Sequence, residues 1–161
     1  MSGGLLRVEV AEQAGDWSDI QAKRAVQALV PIVSRRCPWA EGIVTIALAE
    51  DDLVHDLNRR YRRVDRPTNV LSFPSGEATG PESELGDVVL AVETLRREAE
   101  AESRSLDQHF AHLALHGLLH ILGYDHERDA DAVTMETMET EILAELGIPD
   151  PYAGNPAAMI D

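Results

Sequence analysis

His116, His120 and His126 carry most of the chemistry this chain of 161 residues could perform. They stand in the run His116-Gly117-Leu118-Leu119-His120-Ile121-Leu122-Gly123-Tyr124-Asp125-His126. On an α-helix, residues four apart differ by only about 40° around the axis, so His116 and His120 project from one face, a turn apart. Gly123 can take the left-handed conformation that ends a helix, and the reversed chain then brings His126 toward the same point. Three imidazoles converging this way suit one Zn²⁺-like ion with a fourth position left open, the arrangement of a catalytic rather than a structural metal. Two helical histidines one turn apart are common by chance. The added glycine and third histidine at this register make the metal site the stronger reading. Ligand type alone leaves other divalent metals, Ni²⁺ or Mn²⁺, open.

The element that positions the first two histidines is apolar nearly all round: Phe110, Leu113, Ala114, Leu115, Leu118, Leu119, Ile121 and Leu122. That marks a buried central helix, capped by Ser105 or Asp107. His109 and His112 share its histidine face, which is roughly 80° wide. They lie too far up the helix to complete the same tetrahedron. They either line the approach, support a ligand, or are satisfied core histidines. His55 falls on another helix and is expected to face solvent.

Strands and helices interleave around this element. Leu6, Val8 and Val10 alternate with Arg7 and Glu9 as in a strand, and Ile43 to Leu48 forms a second one. Between them, Trp17 to about Ser34 has helical spacing, with Ile20, Val26, Leu29, Val30 and Val33 inward and Pro31 weakening the last turn. Asp51 or Asp52 can cap a helix with Leu53, Val54, Leu57 and Tyr61 on one side. Asn69 to Phe73 reads as a short strand between Pro67 and Pro74, and Ser75 to Glu84 as a surface loop. Gly86-Asp87 leads into a strand over residues 88–92, and Val92, Leu95 and Ala99 then recur at helical spacing. The last helix runs from Asp129 to Leu146, with Met135, Met138, Ile142 and Leu146 inward, and is stopped by Gly147 and Pro149. The tail, residues 150–161, is expected to be loosely held. Residues 1–161 are thus expected to form one α/β (α+β) domain, a small mixed β-sheet packed with helices around the metal-binding helix.

Hydrophobic residues make up 44% of the chain and charged residues 27%, as in globular domains that bury a core. No run approaches the roughly 20 apolar residues that span a bilayer, and the N-terminus lacks the pattern of a signal peptide. The one cysteine, Cys37, joins no internal disulfide or Cys/His cluster and is expected to be a partly buried small side chain. A cytoplasmic setting without a membrane partner is expected. The net charge of −15 argues against generic nucleic-acid binding, which relies on Lys and Arg. Yet five of the 14 basic residues, Arg59, Arg60, Arg62, Arg63 and Arg66, fall within eight positions with Asp65 as the only acid. At a helix end these cations favour the dipole, and most are expected to be solvated. Acids gather from Asp125 through Glu127, Asp129, Asp131, Glu136, Glu139, Glu141 and Glu145.

Two blocks together point to a family. One is the three-histidine run. The other is Asn58-Arg59-Arg60-Tyr61-Arg62 followed by Arg66-Pro67-Thr68-Asn69-Val70-Leu71-Ser72-Phe73-Pro74, with Gly86-Asp87 between the blocks. From about Asp51 to Tyr152 the chain strongly resembles the bacterial YbeY proteins, metal-dependent endoribonucleases of ribosomal RNA maturation; the first 50 residues fit by pattern only. The resemblance implies a zinc-binding α/β fold with a zincin-like three-histidine site. It implies cleavage of single-stranded RNA in 16S rRNA 3′-end maturation and ribosome quality control, in company with the small ribosomal subunit and its proteins. Carried over residue by residue, the metal ligands are His116, His120 and His126, and the family's functional arginine aligns with Arg62. The size permits a monomer, which is the expected state.

The histidine spacing also matches the H-E-x-x-H-x-x-G-x-x-H pattern of metzincin proteases, but Gly117 stands where their general-base Glu would be. No Met-turn is evident, since Met135 and Met138 read as helix core. A protease is therefore the second enzyme reading. A ribosome-assembly factor with little catalysis is a third, favoured by the overall charge, which suits docking on basic ribosomal proteins. For phosphodiester cleavage, Arg62 suits the phosphate, because a guanidinium pairs two of its oxygens at once. Asp87, Asp125 and Glu127 are the candidate general bases. Asp125 is better suited to orienting a ligand imidazole or capping the turn, and Asp87 could equally be a buried structural acid. Ser72 and Thr68 could meet phosphate or satisfy backbone groups.

Overall fold

Alternating apolar residues build four strands in the computed structural model, which describes residues 5–64 and 68–153. They are β1 (Leu6–Glu12), β2 (Gly42–Ala49), β3 (Val70–Pro74) and β4 (Glu84–Ala91). They form a sheet of order β1-β2-β4-β3, in which β1, β2 and β4 run parallel and β3 is antiparallel to β4. Residues with helical spacing form α1 (Ala22–Arg36), α2 (Asp51–Arg62), α3 (Val92–Ala101), α4 (Leu106–Ile121) and α5 (Asp129–Glu145). The expected mixed sheet with a central helix is what forms. α4 packs on β3 and β4 and touches α1, α3 and α5. Its Phe110, Leu113, Leu115 and Leu119 are fully buried, each contributing roughly 1.5–3 kcal/mol by leaving water.

The approach of α4 to the sheet is closest at Gly117. A Cβ there would lie 2.5 Å from Val88 Cγ1 and 3.2 Å from Ser72 Oγ, so no side chain fits. Ser72 Oγ donates to the Gly117 carbonyl oxygen at 3.1 Å and ties β3 to the helix. The position where a metzincin carries its Glu is thus pressed against strand atoms.

The end of α4 turns as the sequence predicts. Gly123 has φ +105°. Its N–H donates to the His120 carbonyl, and the Tyr124 N–H to that of Leu119, both at 3.0 Å. These two bonds are the Schellman pair that terminates a helix and reverses the chain.

Several boundaries differ from the expectation. α1 begins at Ala22, because Trp17 and Ile20 close a turn instead (Ile20 N–H to Trp17 carbonyl, 3.1 Å) and bury their side chains there. Burial, not helical periodicity, explains their apolar character. The helix also continues past Pro31 to Arg36. Pro31 and Gln27 are exposed, so water can serve the Gln27 carbonyl that the missing N–H would have bonded. Ser105 is the cap of α4, accepting the Gln108 N–H at 3.0 Å. Asp107 instead accepts the Gln21 N–H at 2.9 Å, at the start of α1. β4 begins at Glu84, two residues before Gly86, and Val92 opens α3. Cys37 is fully buried rather than partly so. Asp65, Arg66 and Pro67 lie outside the described residues.

Candidate metal centre

The two α4 histidines meet the third across the helix end. His116 Nε2 and His120 Nε2 are 3.1 Å apart. The His126 ring lies 4.9 Å from that of His120 and 5.4 Å from that of His116, centroid to centroid. One nitrogen from each of the three falls within 4.8 Å of the others. Ligand nitrogens around a tetrahedral zinc stand about 3.4 Å apart, close to the His116–His120 spacing. His126 Nε2 is buried with no hydrogen-bond partner among the described residues, an orphan that a metal ion would satisfy. Burial, helped by the neighbouring His116 and His126, lowers the His120 pKa to about 4. At neutral pH its lone pair is therefore available. The donor set fits a divalent ion.

A carboxylate stands behind these rings. Glu139 of α5 is fully buried. Its Oε2 accepts from His116 Nδ1 at 2.9 Å, and its Oε1 accepts from His112 Nε2 at 2.8 Å and from the Tyr152 hydroxyl at 2.6 Å. Burial pushes the Glu139 carboxyl up, but the bonds from His112 and His116 outweigh it and hold the pKa down to about 2. An ionised carboxylate only accepts, so it fixes the proton of His116 on Nδ1 and turns the Nε2 lone pair toward His120. Burial lowers the pKa of His112, which keeps that ring a neutral donor.

In the sequence Glu139 is one acid among many near the C-terminus. The signal that could have set it apart is its spacing: Met135, Glu139, Ile142 and Leu146 share one face of α5, so this acid occupies a core position. His112 does not line an approach; it is packed behind the centre on Glu139. His109 bonds Glu98 at 2.9 Å, and Glu98 also accepts from Asn69 Nδ2 at 3.0 Å. It is a buried histidine joining α4 to α3. Residues 150–152 are not loosely held: Tyr152 bonds Glu139, Pro151 is buried, and Arg104 donates to the Pro151 carbonyl. Ala153 closes a turn onto the Asp150 carbonyl at 3.3 Å, and residues 154–161 lie outside the described residues.

The centre opens into a cavity of about 260 Å³ lined by Arg62, Ser72, Pro74, His120, Asp125, His126 and Glu127. Arg62 comes from the last turn of α2. Its neighbours Arg59 and Arg60 are tied to Asp56 at 2.8 and 3.1 Å, whereas Arg62 has no carboxylate partner among the described residues. Asp125 caps the turn rather than orienting an imidazole, since its Oδ1 accepts the His126 N–H at 2.6 Å and the Glu127 N–H at 3.2 Å. Glu127 is exposed at the rim, and its carboxylate has no hydrogen-bond partner among the described residues. Asp87 is neither a buried structural acid nor part of the cavity. It is exposed and pairs with Phe73, whose side chain leaves β3 on the face opposite to Ser72. Ser72 gives its hydroxyl to the backbone. Thr68 is buried outside the cavity lining, and His55 is half-buried rather than solvent-facing.

With this geometry the sequence likeness becomes decisive. Residues 8–147 match the family described as Endoribonuclease YbeY. The chain belongs to the endoribonuclease YbeY family. Endoribonuclease YbeY of Bradyrhizobium diazoefficiens is 48% identical over 163 residues, covering 94% of this chain and 88% of that protein. The protein of the same name from Bradyrhizobium sp. strain BTAi1 is 48% identical over 154 residues, covering 90% and 91%. That of Methylocella silvestris is 42% identical over 158 residues, covering 96% and 89%. The solution structure of TM1509 from Thermotoga maritima shares the fold, with a TM-score of 0.59 at 22% identity over 94% of this chain and 99% of that one. The YbeY resemblance drawn from the two motif blocks is thereby borne out. No helix among the described residues is long and apolar enough to cross a membrane.

Proposed function

We propose that this chain is a metal-dependent endoribonuclease that cleaves single-stranded RNA, with 16S rRNA 3′-end maturation and ribosome quality control as its task. One observation carries the reading: the Arg62 guanidinium, without a carboxylate partner among the described residues, and the His120 and His126 imidazoles line the same open cavity. The naming of its relatives as Endoribonuclease YbeY supports RNA as the substrate. His116, His120 and His126 would hold one divalent ion, for which zinc is the first choice by donor type. When bound, such an ion supplies Lewis acidity, polarising a phosphoryl oxygen and lowering the pKa of water.

The side chains do the rest. Arg62 pairs two phosphate oxygens and offsets the charge that builds on phosphorus as the bond breaks. Glu127 sits at the rim as an acceptor for the proton released by the attacking oxygen. Asp125 holds the turn that presents His126, and Glu139 holds His116. Gly117 leaves no room for the carboxylate on which peptide hydrolysis would depend, so the protease reading loses its base. The whole chain, residues 1–161, would act as one cytoplasmic, monomeric domain and meet its RNA on the small ribosomal subunit beside ribosomal proteins.

The test compares chelator-treated protein with zinc-reloaded protein on single-stranded RNA, duplex RNA and casein. Cleavage confined to single-stranded RNA and restored by zinc is expected. Cleavage of casein without RNA, or equal RNA cleavage before and after reloading, would overturn the reading.

A further inference from the structure

Tyr61 is the most exposed aromatic residue among the described residues, at 64%. A tyrosine near a helix end is ordinarily a solvated residue, and three observations set this one apart. The ring is held in place: it meets Phe73 edge to face, with centroids 5.8 Å apart and planes at 73°. It stands one residue from the cavity lining: its chain neighbour Arg62 lines the cavity, and the ring, packed on Phe73, lies just across edge strand β3 on the other face of the sheet. The ring also sits in the one cationic stretch of an acidic protein, with the Arg60 guanidinium carbon 5.8 Å from its centroid. β3, on which the ring leans, is an edge strand of the sheet, so an extended chain has access along this side.

An exposed ring beside a guanidinium that has no carboxylate partner among the described residues matches the pairing by which proteins grip single-stranded nucleic acid. The cation tracks the backbone and the ring takes a base face. We propose that Tyr61 is a nucleobase-stacking site, on which an unpaired base next to the phosphate held by Arg62 lies flat. The proposal rests on the RNA-cleaving reading and adds a source for its strand preference. A base inside a duplex has both faces stacked and cannot be given to the ring without unpairing, whereas a single strand can splay it out. Any of the four bases has a π-face, so this contact selects for single strands rather than for sequence.

The test uses the zinc-loaded protein and a 2′-O-methyl oligonucleotide carrying one 2-aminopurine, placed at each position in turn and checked to be intact on a gel after each measurement. Wild type is expected to change the fluorescence at one position, as stacking does. Tyr61→Ala and Tyr61→Gln are expected to lose that change and bind about tenfold more weakly, with Tyr61→Phe like wild type. On cleavable RNA, Tyr61→Ala is expected to raise KM with kcat within about twofold. Tyr61→Gln covers the case in which the alanine variant does not fold. Binding by Tyr61→Ala and Tyr61→Gln equal to wild type, a kcat loss without a KM change, or no positional fluorescence signal in wild type would each overturn the proposal. Because binding is read on a probe checked to be intact, failure of RNA cleavage itself is read separately.

Discussion

The Glu139 carboxylate lies 2.9 Å from His116 Nδ1, on the side of that imidazole away from His120 Nε2. One buried acid on α5 thereby decides which nitrogen of His116 faces the other histidines. Its second oxygen is engaged by His112 and Tyr152. Three donors from α4 and the segment after α5 explain why a charge is tolerated in the core: both carboxylate oxygens are hydrogen-bonded.

Removing this acid should loosen the metal before it affects RNA. Glu139→Gln is expected to weaken zinc binding about 10- to 100-fold, the usual cost of losing an outer partner of a ligating histidine. Competition with a chromogenic chelator measures it. An unchanged zinc affinity would remove the orienting role.

The same group shapes acid stability. Its folded pKa of about 2 lies below the ordinary value of 4.5. The sign follows: the unfolded chain takes up the proton first, so the stabilisation is full above pH 4.5 and is lost as pH falls toward 2. Metal-free wild type is expected to lose thermal stability more steeply through that window than metal-free Glu139→Gln. Parallel curves would contradict it.

Gly117 is a packing requirement as well as a missing base. Gly117→Ala forces Val88 or the helix to move and is expected to cost about 1–3 kcal/mol in denaturant unfolding. Ser72→Ala, which removes one hydrogen bond to the Gly117 carbonyl, is expected to cost about 0.5–1.5 kcal/mol. A neutral Gly117→Ala would show that α4 is less tightly seated than described.

Tyr152 pins the segment after α5 to the centre. Tyr152→Phe keeps the ring and deletes the bond to Glu139. Hydrogen exchange around residues 150–152 is expected to rise, and stability to fall by about 1.5–3 kcal/mol, the range for a hydrogen bond to a charged group. Unchanged exchange there would mean that Arg104 and the buried Pro151 hold the segment alone.

What was legible in the sequence follows a physical divide. The three histidines, the glycine that turns the chain after them and the central apolar helix are local patterns, and local geometry brings them together. The alternating strands gave a small mixed sheet, although Trp17 and Ile20 mimicked a helical face because turns can bury apolar side chains too. Glu139, His112 and Tyr152 meet only when α4, α5 and the segment after α5 are packed. No spacing within one element announces that contact, beyond an acid on the apolar side of α5. Asp87 misled for a related reason. Its closeness to the motif residues made it a candidate base, but strand alternation puts its side chain on the face of the sheet away from the histidines.

The most direct test of the account is cleavage of an end-labelled single-stranded RNA by zinc-loaded wild type, His120→Ala and Arg62→Glu, purified identically. The account predicts discrete products with wild type, none with His120→Ala, and a rate for Arg62→Glu lower by about 100-fold or more, as when a charge-stabilising group is lost from a transition state. Equal cleavage by wild type and His120→Ala would place the activity elsewhere, and indifference to Arg62→Glu would remove the phosphate clamp from the mechanism.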